Sequence, residues 1–324
     1  MNIKILPSLA DVHAARQMIS GAAIRTPLVR LNDTSSQAEI YLKLENLQPI
    51  GSFKIRGAAN AIGHLTSAAL AKGVLTASAG NMAQGVAWRA QMLGIPCTVI
   101  APETAPETKI KAIERLGGRV IKVPFENWWK AFEDRAYAGV EGTFIHAFDD
   151  LNVMAGNGTI ALEILEDLPD VDAIVVPWGG GGLTCGIAAT VRALKPECKI
   201  FAAEAATSAP LRASLAVGSP QTIAHVPSFV DGIGGKSVFP QMFERAKGLV
   251  DAPLVADLEQ VAFALRLMAE RNRIIAEGAG ACPVACAMAG KAGRGKVVCI
   301  VSGGNIDFDT LCGILTGTDP AIKH

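Results

Sequence analysis

Short apolar runs alternate with amphipathic segments along most of this 324-residue chain, and that alternation restricts the possible folds more than any other feature. The runs are rich in β-branched residues, as buried strands are. The intervening segments carry apolar side chains three and four positions apart, as helices do. Strands that alternate with helices form parallel sheets covered on both faces. The sequence therefore predicts an α/β fold with two open, twisted parallel sheets.

Individual elements follow from the same patterns. Strands are predicted at residues 41–44, 74–77, 97–101, 119–123, 173–176, 200–203 and 296–301. A first helix is predicted to begin at Ser8, with Asp11 completing a capping box, and to end at Gly21. Further helices are predicted at residues 82–93, 108–116, 128–137, 155–165, 183–194 and 258–272.

Charge and composition argue against several classes of protein. Thirty basic and thirty acidic residues cancel, and there is no long run of one sign that could follow a nucleic acid backbone. The longest weakly polar run, residues 278–290, is shorter than the roughly 20 residues that span a bilayer. The seven cysteines are scattered, and the first residues lack the apolar core of an export signal. We expect a cytoplasmic protein that binds neither nucleic acid nor membranes.

Three short segments could carry chemistry, and the first is SFKIRGA at residues 52–58. Its lysine, Lys54, follows Phe53. A lone lysine beside an aromatic residue is ordinarily a surface residue. This segment therefore indicates a function only in combination with the other two.

The second segment, TASAGN at residues 76–81, ends a predicted strand and precedes the helix predicted from Met82. Backbone N–H groups point outward at such a junction, with the positive end of the helix dipole behind them. An anion is expected to bind there. Ser78 and Asn81 would otherwise be ordinary helix-capping residues.

The third segment, VPWGGGGLT at residues 176–184, again joins a predicted strand to a predicted helix through four glycines. Glycines let the backbone approach a phosphate closely, and the helix start supplies amide donors. The segment lacks the spacing of a dinucleotide fingerprint and the Lys-Ser/Thr pair of a triphosphate loop. It therefore predicts a phosphate cradle of another kind.

These segments, with IVSGGN at residues 300–305 and shorter matches at 148–159 and 231–233, resemble the serine/threonine dehydratase family of fold-type II pyridoxal phosphate (PLP) enzymes. The matches occur in the family's order over nearly the whole chain. The resemblance implies a fold like that of the tryptophan synthase β subunit. Residues 1–52 and 152–324 would form a large PLP-binding domain, and residues 53–151 a smaller mobile domain that closes over the substrate. It also implies a homodimer.

The resemblance assigns a role to each motif. Lys54 would bond to the cofactor aldehyde and later act as the catalytic base. The cofactor ring would lie against Phe53, with its ring oxygen at Asn81 and its pyridine nitrogen at Ser302. The phosphate would be bound by Gly179, Gly180, Gly181, Gly182 and Leu183. The substrate carboxylate would be bound by Ser78, Gly80, Asn81 and Met82.

The implied reaction is a PLP-dependent α,β-elimination in amino-acid degradation. A small β-hydroxy amino acid such as threonine or serine would lose water and then ammonia to give a 2-oxo acid. A neutral hydroxyl such as that of Ser302 does not hold a proton on the pyridine nitrogen, which favours prompt loss of the β-substituent.

The chain departs from the family pattern at several positions. Met82 replaces a usual His, which makes the pocket more apolar. Ala79 occupies the catalytic position at which serine racemases of this type carry Ser, and Ala cannot exchange a proton. Glu204 matches one ligand of a family cation site, but Pro210 stands where a carboxylate is expected, so Mg²⁺ or Ca²⁺ binding is weakened. Trp178 replaces a smaller residue and is expected to pack in the core.

Three alternatives remain open at this stage. The chain could be a dehydratase for a bulkier substrate, phenylserine or hydroxyaspartate, or it could be an amino-acid racemase. It could also be a non-catalytic phosphate- or nucleotide-binding module, which the two predicted anion sites alone would allow. The missing nucleotide fingerprints make that last alternative the least favoured.

Overall fold

Ten strands occur in the computed structural model, which describes residues 6–318. In chain order they are β1 (Leu28–Arg30), β2 (Ala38–Lys43), β3 (Val74–Ala77), β4 (Cys97–Pro102), β5 (Arg119–Val123), β6 (Thr143–Phe144), β7 (Ala173–Pro177), β8 (Lys199–Ala205), β9 (Ala252–Ala256) and β10 (Gly295–Ile300). All seven predicted strands are present. The sequence analysis missed β1, β6 and β9, of which β1 and β6 are the two shortest.

The strands form two sheets, which confirms the predicted fold class. A six-stranded sheet has the order β1-β2-β10-β7-β8-β9, and a four-stranded sheet has the order β5-β4-β3-β6. Every pairing is parallel except that of the edge strand β1, which runs antiparallel to β2. All four strands of the smaller sheet come from residues 74–144, between β2 and β7 of the larger sheet.

Thirteen α-helices occur in the described residues. They are α1 (Leu9–Met18), α2 (Lys54–Gly63), α3 (Ser67–Lys72), α4 (Asn81–Leu93), α5 (Glu107–Arg115), α6 (Phe125–Asp134), α7 (Leu151–Asp167), α8 (Gly182–Leu194), α9 (Pro210–Val217), α10 (Pro240–Lys247), α11 (Leu258–Leu267), α12 (Gly278–Met288) and α13 (Phe308–Thr316). The predicted capping box of Ser8 and Asp11 is present at the start of α1. None of these helices is both long and apolar enough to cross a membrane.

The helices α2, α7 and α8 lie against one another with their backbones in close approach. A Cβ atom at Gly156 of α7 would overlap the carbonyl of Arg56 in α2, and one at Gly186 of α8 would overlap the carbonyl of Met154 in α7. Only glycine allows such an approach. The first residue of α2 is Lys54, so these contacts also fix the position of that lysine.

A buried ion cluster connects α2 to the larger sheet. The Arg56 guanidinium donates to Glu45 at 2.8 Å and to Glu163 at 2.7 Å, and the Lys43 amine donates to Glu163 at 2.6 Å. Two positive and two negative side chains therefore balance in a site from which water is nearly excluded. Burial alone would raise the pKa of Glu163, but hydrogen bonds from Arg56 and Lys43 lower it below its usual value.

Replacing Arg56 by Met should destabilise the protein strongly. The variant keeps an apolar stem of similar length but leaves two buried carboxylates with one cation, and removing one partner of a buried pair costs about 3–5 kcal/mol. Urea unfolding followed by circular dichroism measures the change. Lys130→Met removes an exposed lysine from its pair with Asp134 and is the control that should change little. Equal, small effects of the two substitutions would contradict the assigned importance of the cluster.

Candidate active site

A cleft of about 650 Å³ lies between the two sheets. It is lined by residues that directly follow β3 and β4 of the smaller sheet and β7 and β10 of the larger one. Ligands of open parallel sheets bind at this carboxyl edge of the strands. The cleft is therefore the expected location for a functional site.

Lys54 is one of two lysines that line the cleft, and the other is Lys109. The Lys54 Nζ donates a hydrogen bond to the carbonyl of Ala147 at 3.0 Å and lies 5.1 Å from the centroid of the Phe53 ring. Burial lowers the pKa of Lys54 to about 8, while the nearby charge of Glu277 acts in the opposite direction. At pH 7 roughly a tenth of an amine with this pKa is unprotonated and can act as a nucleophile or base.

The segment after β3 is the first of the two predicted anion sites. Helix α4 begins at Asn81, and no side chain caps its first turn, so backbone amides there can bind a ligand. The Ser78 hydroxyl accepts a hydrogen bond from the amide of Gly80 at 3.2 Å and can still donate. Ala79 and Met82 line the same part of the cleft.

The four glycines after β7 are the second predicted anion site. Gly181 adopts a φ of +89° and precedes α8, whose first turn has no side-chain cap. A Cβ at Gly180 would overlap the Phe148 ring, and one at Gly182 would lie 2.8 Å from the Phe148 backbone. Since no side chain fits there, the turn can present bare backbone amides to a phosphate. This geometry fits the phosphate of PLP.

Ser302 lies just beyond the end of β10 and lines the cleft. Its carbonyl accepts a hydrogen bond from the amide of Phe53 at 3.0 Å, which holds the end of β10 against the segment that carries Lys54. The hydroxyl is a neutral group of the kind that suits an unprotonated pyridine nitrogen.

Glu277 is a cleft residue that the sequence analysis missed. Its carboxylate accepts hydrogen bonds from Asn81 Nδ2 at 3.0 and 3.2 Å. Burial raises the pKa of Glu277 to about 7, although the hydrogen bond from Asn81 acts in the opposite direction. The sequence did contain a signal for a buried carboxylate, because Glu277 immediately precedes the apolar run 278–290. If that run is buried, the carboxylate beside it is expected to be buried as well and to need a polar partner.

Trp178 and Glu204 lie outside the cleft lining. The Trp178 ring is 1% exposed and packs in the core beneath Gly181, as expected. The two carboxylate oxygens of Glu204 accept hydrogen bonds from the Leu211 and Arg212 amides at the start of α9, both at 2.8 Å. No group of three His, Cys, Asp or Glu residues that could hold a metal ion occurs within residues 6–318. The cation at Glu204 stays a prediction.

The fold brings the remaining predicted site residues together. The cleft is lined by Phe53, Lys54, Ser78, Ala79, Gly80, Asn81, Met82, Gly179, Gly180, Gly181, Gly182, Leu183 and Ser302. A partly neutral lysine amine in one cleft with two uncapped helix starts is typical of α/β enzymes that hold a phosphorylated carbonyl cofactor.

Comparison with known proteins gives the family. Residues 19–303 match the family model described as pyridoxal-phosphate dependent enzyme, so the chain belongs to this family. It is 41% identical over 310 residues to an L-threonine ammonia-lyase of Thermotoga maritima, which covers 94% of this chain and 77% of the relative.

Two solved structures also resemble the chain. Maize serine racemase has a TM-score of 0.87 at 30% identity and covers 96% of this chain and 97% of its own. The processed form of threonine deaminase isoform 2 from Solanum lycopersicum has a TM-score of 0.85 at 32% identity and covers 95% of this chain and 91% of its own. The predicted family and the predicted PLP cofactor are thus confirmed.

Replacing Gly180 by Ala should weaken PLP binding while the protein still folds. The added methyl group would push against the Phe148 ring and displace the turn that is expected to hold the phosphate. Titration of the apoprotein with PLP, followed by absorption, should give a dissociation constant raised at least tenfold. Gly248→Ala, at a position with no atom within 4 Å of the new methyl group, is the matched control. Unchanged PLP binding in Gly180→Ala would argue against a phosphate site there.

Proposed function

We propose that this protein is a PLP-dependent ammonia-lyase that removes water and then ammonia from a small β-hydroxy-L-amino acid, such as threonine or serine. The products are a 2-oxo acid and ammonia. The observation that carries the proposal is the lowered pKa of Lys54, about 8, in a cleft between two anion sites. The similarity to a threonine ammonia-lyase at 41% identity supports the elimination.

The residues present could hold the cofactor at three points. The amides of Gly179, Gly180, Gly181, Gly182 and Leu183 would bind its phosphate, helped by the dipole of α8. The Ser302 hydroxyl would face the pyridine nitrogen, and the side-chain amide of Asn81 would face the ring oxygen. When bound, PLP withdraws electrons from the substrate Cα, which makes the Cα proton acidic.

Substrate binding would use the first anion site. The Ser78 hydroxyl and the amides of Gly80, Asn81 and Met82 can bind a carboxylate at the start of α4. A carboxylate bound there would bring the substrate Cα near Lys54, whose neutral amine would take the Cα proton. Burial keeps this amine partly neutral near pH 7, because an ammonium group is costly where water is excluded.

Two other reactions have support from particular observations. The buried, apolar Met82 at the substrate end of the cleft favours a bulkier substrate, such as phenylserine, over hydroxyaspartate. The likeness to maize serine racemase favours racemisation. Against racemisation, the Ala79 methyl group cannot deliver a proton to the face opposite Lys54.

Residues 53–151 are proposed to move as a domain that closes the cleft. Helix α5 contacts the other side of the cleft mouth through Lys109 and Asp231 at 2.6 Å and through Thr108 and Asp307 at 3.1 Å. These polar pairs lie at the surface, where breaking them costs little. Small-angle scattering with and without a substrate analogue would test the movement, and identical profiles would speak against it.

The protein is also proposed to be a cytoplasmic homodimer. Six of its seven cysteines are buried as thiols, which suits a reducing compartment. Large apolar side chains are exposed outside the cleft, among them Leu47, Phe263 and Phe308. Sedimentation velocity would test the dimer, since a species of 33.7 kDa alone would contradict it.

Lys54→Ala should abolish both the cofactor band near the visible edge of the spectrum and the release of 2-oxo acid. Activity should be lost by several orders of magnitude because the variant has neither the covalent link nor the base. Serine, threonine and phenylserine are compared in the wild type by 2-oxo acid formation. Faster turnover of phenylserine would favour the bulky-substrate reaction.

Two results would overturn the proposal. The first is a wild-type protein that shows no absorption band after incubation with PLP. The second is a PLP-bound protein that interconverts serine enantiomers, measured by chiral chromatography, without releasing 2-oxo acid or ammonia.

A further inference from the structure

Asn305 makes two hydrogen bonds that fix the direction of its side-chain amide. Its Nδ2 donates to the backbone carbonyl of Ile50 at 2.8 Å and to Asn81 Oδ1 at 2.7 Å. A backbone carbonyl can only accept a hydrogen bond. The nitrogen of Asn305 must therefore face Ile50, and both of its hydrogens are used.

The orientation of the Asn305 side chain also determines that of the Asn81 side chain. Because Asn305 offers a nitrogen, Asn81 must turn its oxygen toward it and its own Nδ2 toward Glu277. Glu277, the last member of this series of hydrogen bonds, is also fixed in position. It directly precedes α12, and its Oε1 lies against Gly303. Asn81 Nδ2 lies 3.0 and 3.2 Å from the two carboxylate oxygens of Glu277. One hydrogen shared between these two oxygens leaves the second available to an acceptor in the cleft.

The surroundings of Asn305 hold it beside the lysine segment. A Cβ at Gly51, which has a φ of +70°, would lie 2.6 Å from Asn305 Oδ1. The amide of Gly304 donates to the carbonyl of Gly51 at 2.9 Å. The residues that lead into Lys54 and the residues that follow β10 are thus packed together, with Asn305 between them and Asn81.

We propose that Asn305 is a positioning residue that sets the amide of Asn81 so that it presents N–H, and not C=O, to the ring oxygen of bound PLP. The proposal rests on the role given to Asn81 in the proposed function. Without Asn305, only Glu277 would hold the Asn81 amide, and a protonated Glu277 can donate to an amide oxygen as well as accept from an amide nitrogen. The amide could then rotate by half a turn and present an oxygen to a ring oxygen. Two acceptors in contact repel each other, so cofactor binding would weaken.

The test is a double-mutant cycle on the apoprotein with PLP as the ligand. Asn305→Asp keeps the shape but removes both donors, and Asn305→Ala removes the side chain. Each should raise the dissociation constant for PLP roughly tenfold in the wild-type background. In an Asn81→Ala background each should change it less than twofold, because the residue through which Asn305 acts is gone.

A spectroscopic readout separates positioning from general damage. The absorption maximum of bound PLP should shift in Asn305→Asp in the same direction as in Asn81→Ala. Asn46→Asp is the matched control, because Asn46 Nδ2 donates only to the Ile275 carbonyl at 2.9 Å and does not contact Asn81. It should leave both the dissociation constant and the absorption maximum unchanged.

Particular outcomes overturn the inference. Equal weakening by Asn305→Asp in the two backgrounds would show that Asn305 does not act through Asn81. Tight PLP binding by Asn305→Asp and Asn305→Ala would overturn it while leaving the proposed lyase intact. A wild-type protein that does not bind PLP would instead refute the proposed function itself.

Discussion

The salt-bridge cluster of Arg56, Lys43, Glu45 and Glu163 is the interaction on which the catalytic geometry depends. Arg56 lies two residues after Lys54 in α2 and pairs with Glu45, in the turn that follows β2, and with Glu163 of α7. Glu163 also pairs with Lys43 of β2. Charges buried in this way are stable only as a complete set. The cluster therefore fixes the start of α2 against the larger sheet, and with it the amine that faces the cleft.

Exclusion of water has a second effect inside the cleft. It lowers the pKa of Lys54 to about 8 and raises the pKa of Glu277 to about 7, so both groups are shifted toward their neutral forms. Neutral and charged forms are then close in free energy near physiological pH. A site of this kind can move protons without a large cost, which is what an elimination that begins at Cα requires.

Much of the fold could be predicted from local patterns, but six of the thirteen helices in the described residues were missed, namely α2, α3, α9, α10, α12 and α13. Two of them show why. The strands β3 and β5 have the predicted bounds because β-branched runs bounded by turn residues are distinctive. Helix α2 was missed because its polar residues, Arg56 and Asn60, are buried against other parts of the protein, so its polar stripe does not mark a face toward water. Helix α12 was missed because Gly278, Gly280 and Pro283 have low helix propensity, and tertiary packing overrides that propensity.

The sequence by itself determined the alternation of strands and helices, and with it which segments follow strand ends and can hold anions. Asn81 and the glycines were recognisable because each lies between a strand and a helix, where the local chemistry favours an anion. Lys54 and Ser302 were assigned through the resemblance of their motifs to a family. Only the tertiary structure brought Glu277 and Asn305 to Asn81, across 196 and 224 positions of the chain. The order of the strands determines which distant segments come into contact. Long-range hydrogen bonds produce no periodic pattern in the sequence from which they could be predicted.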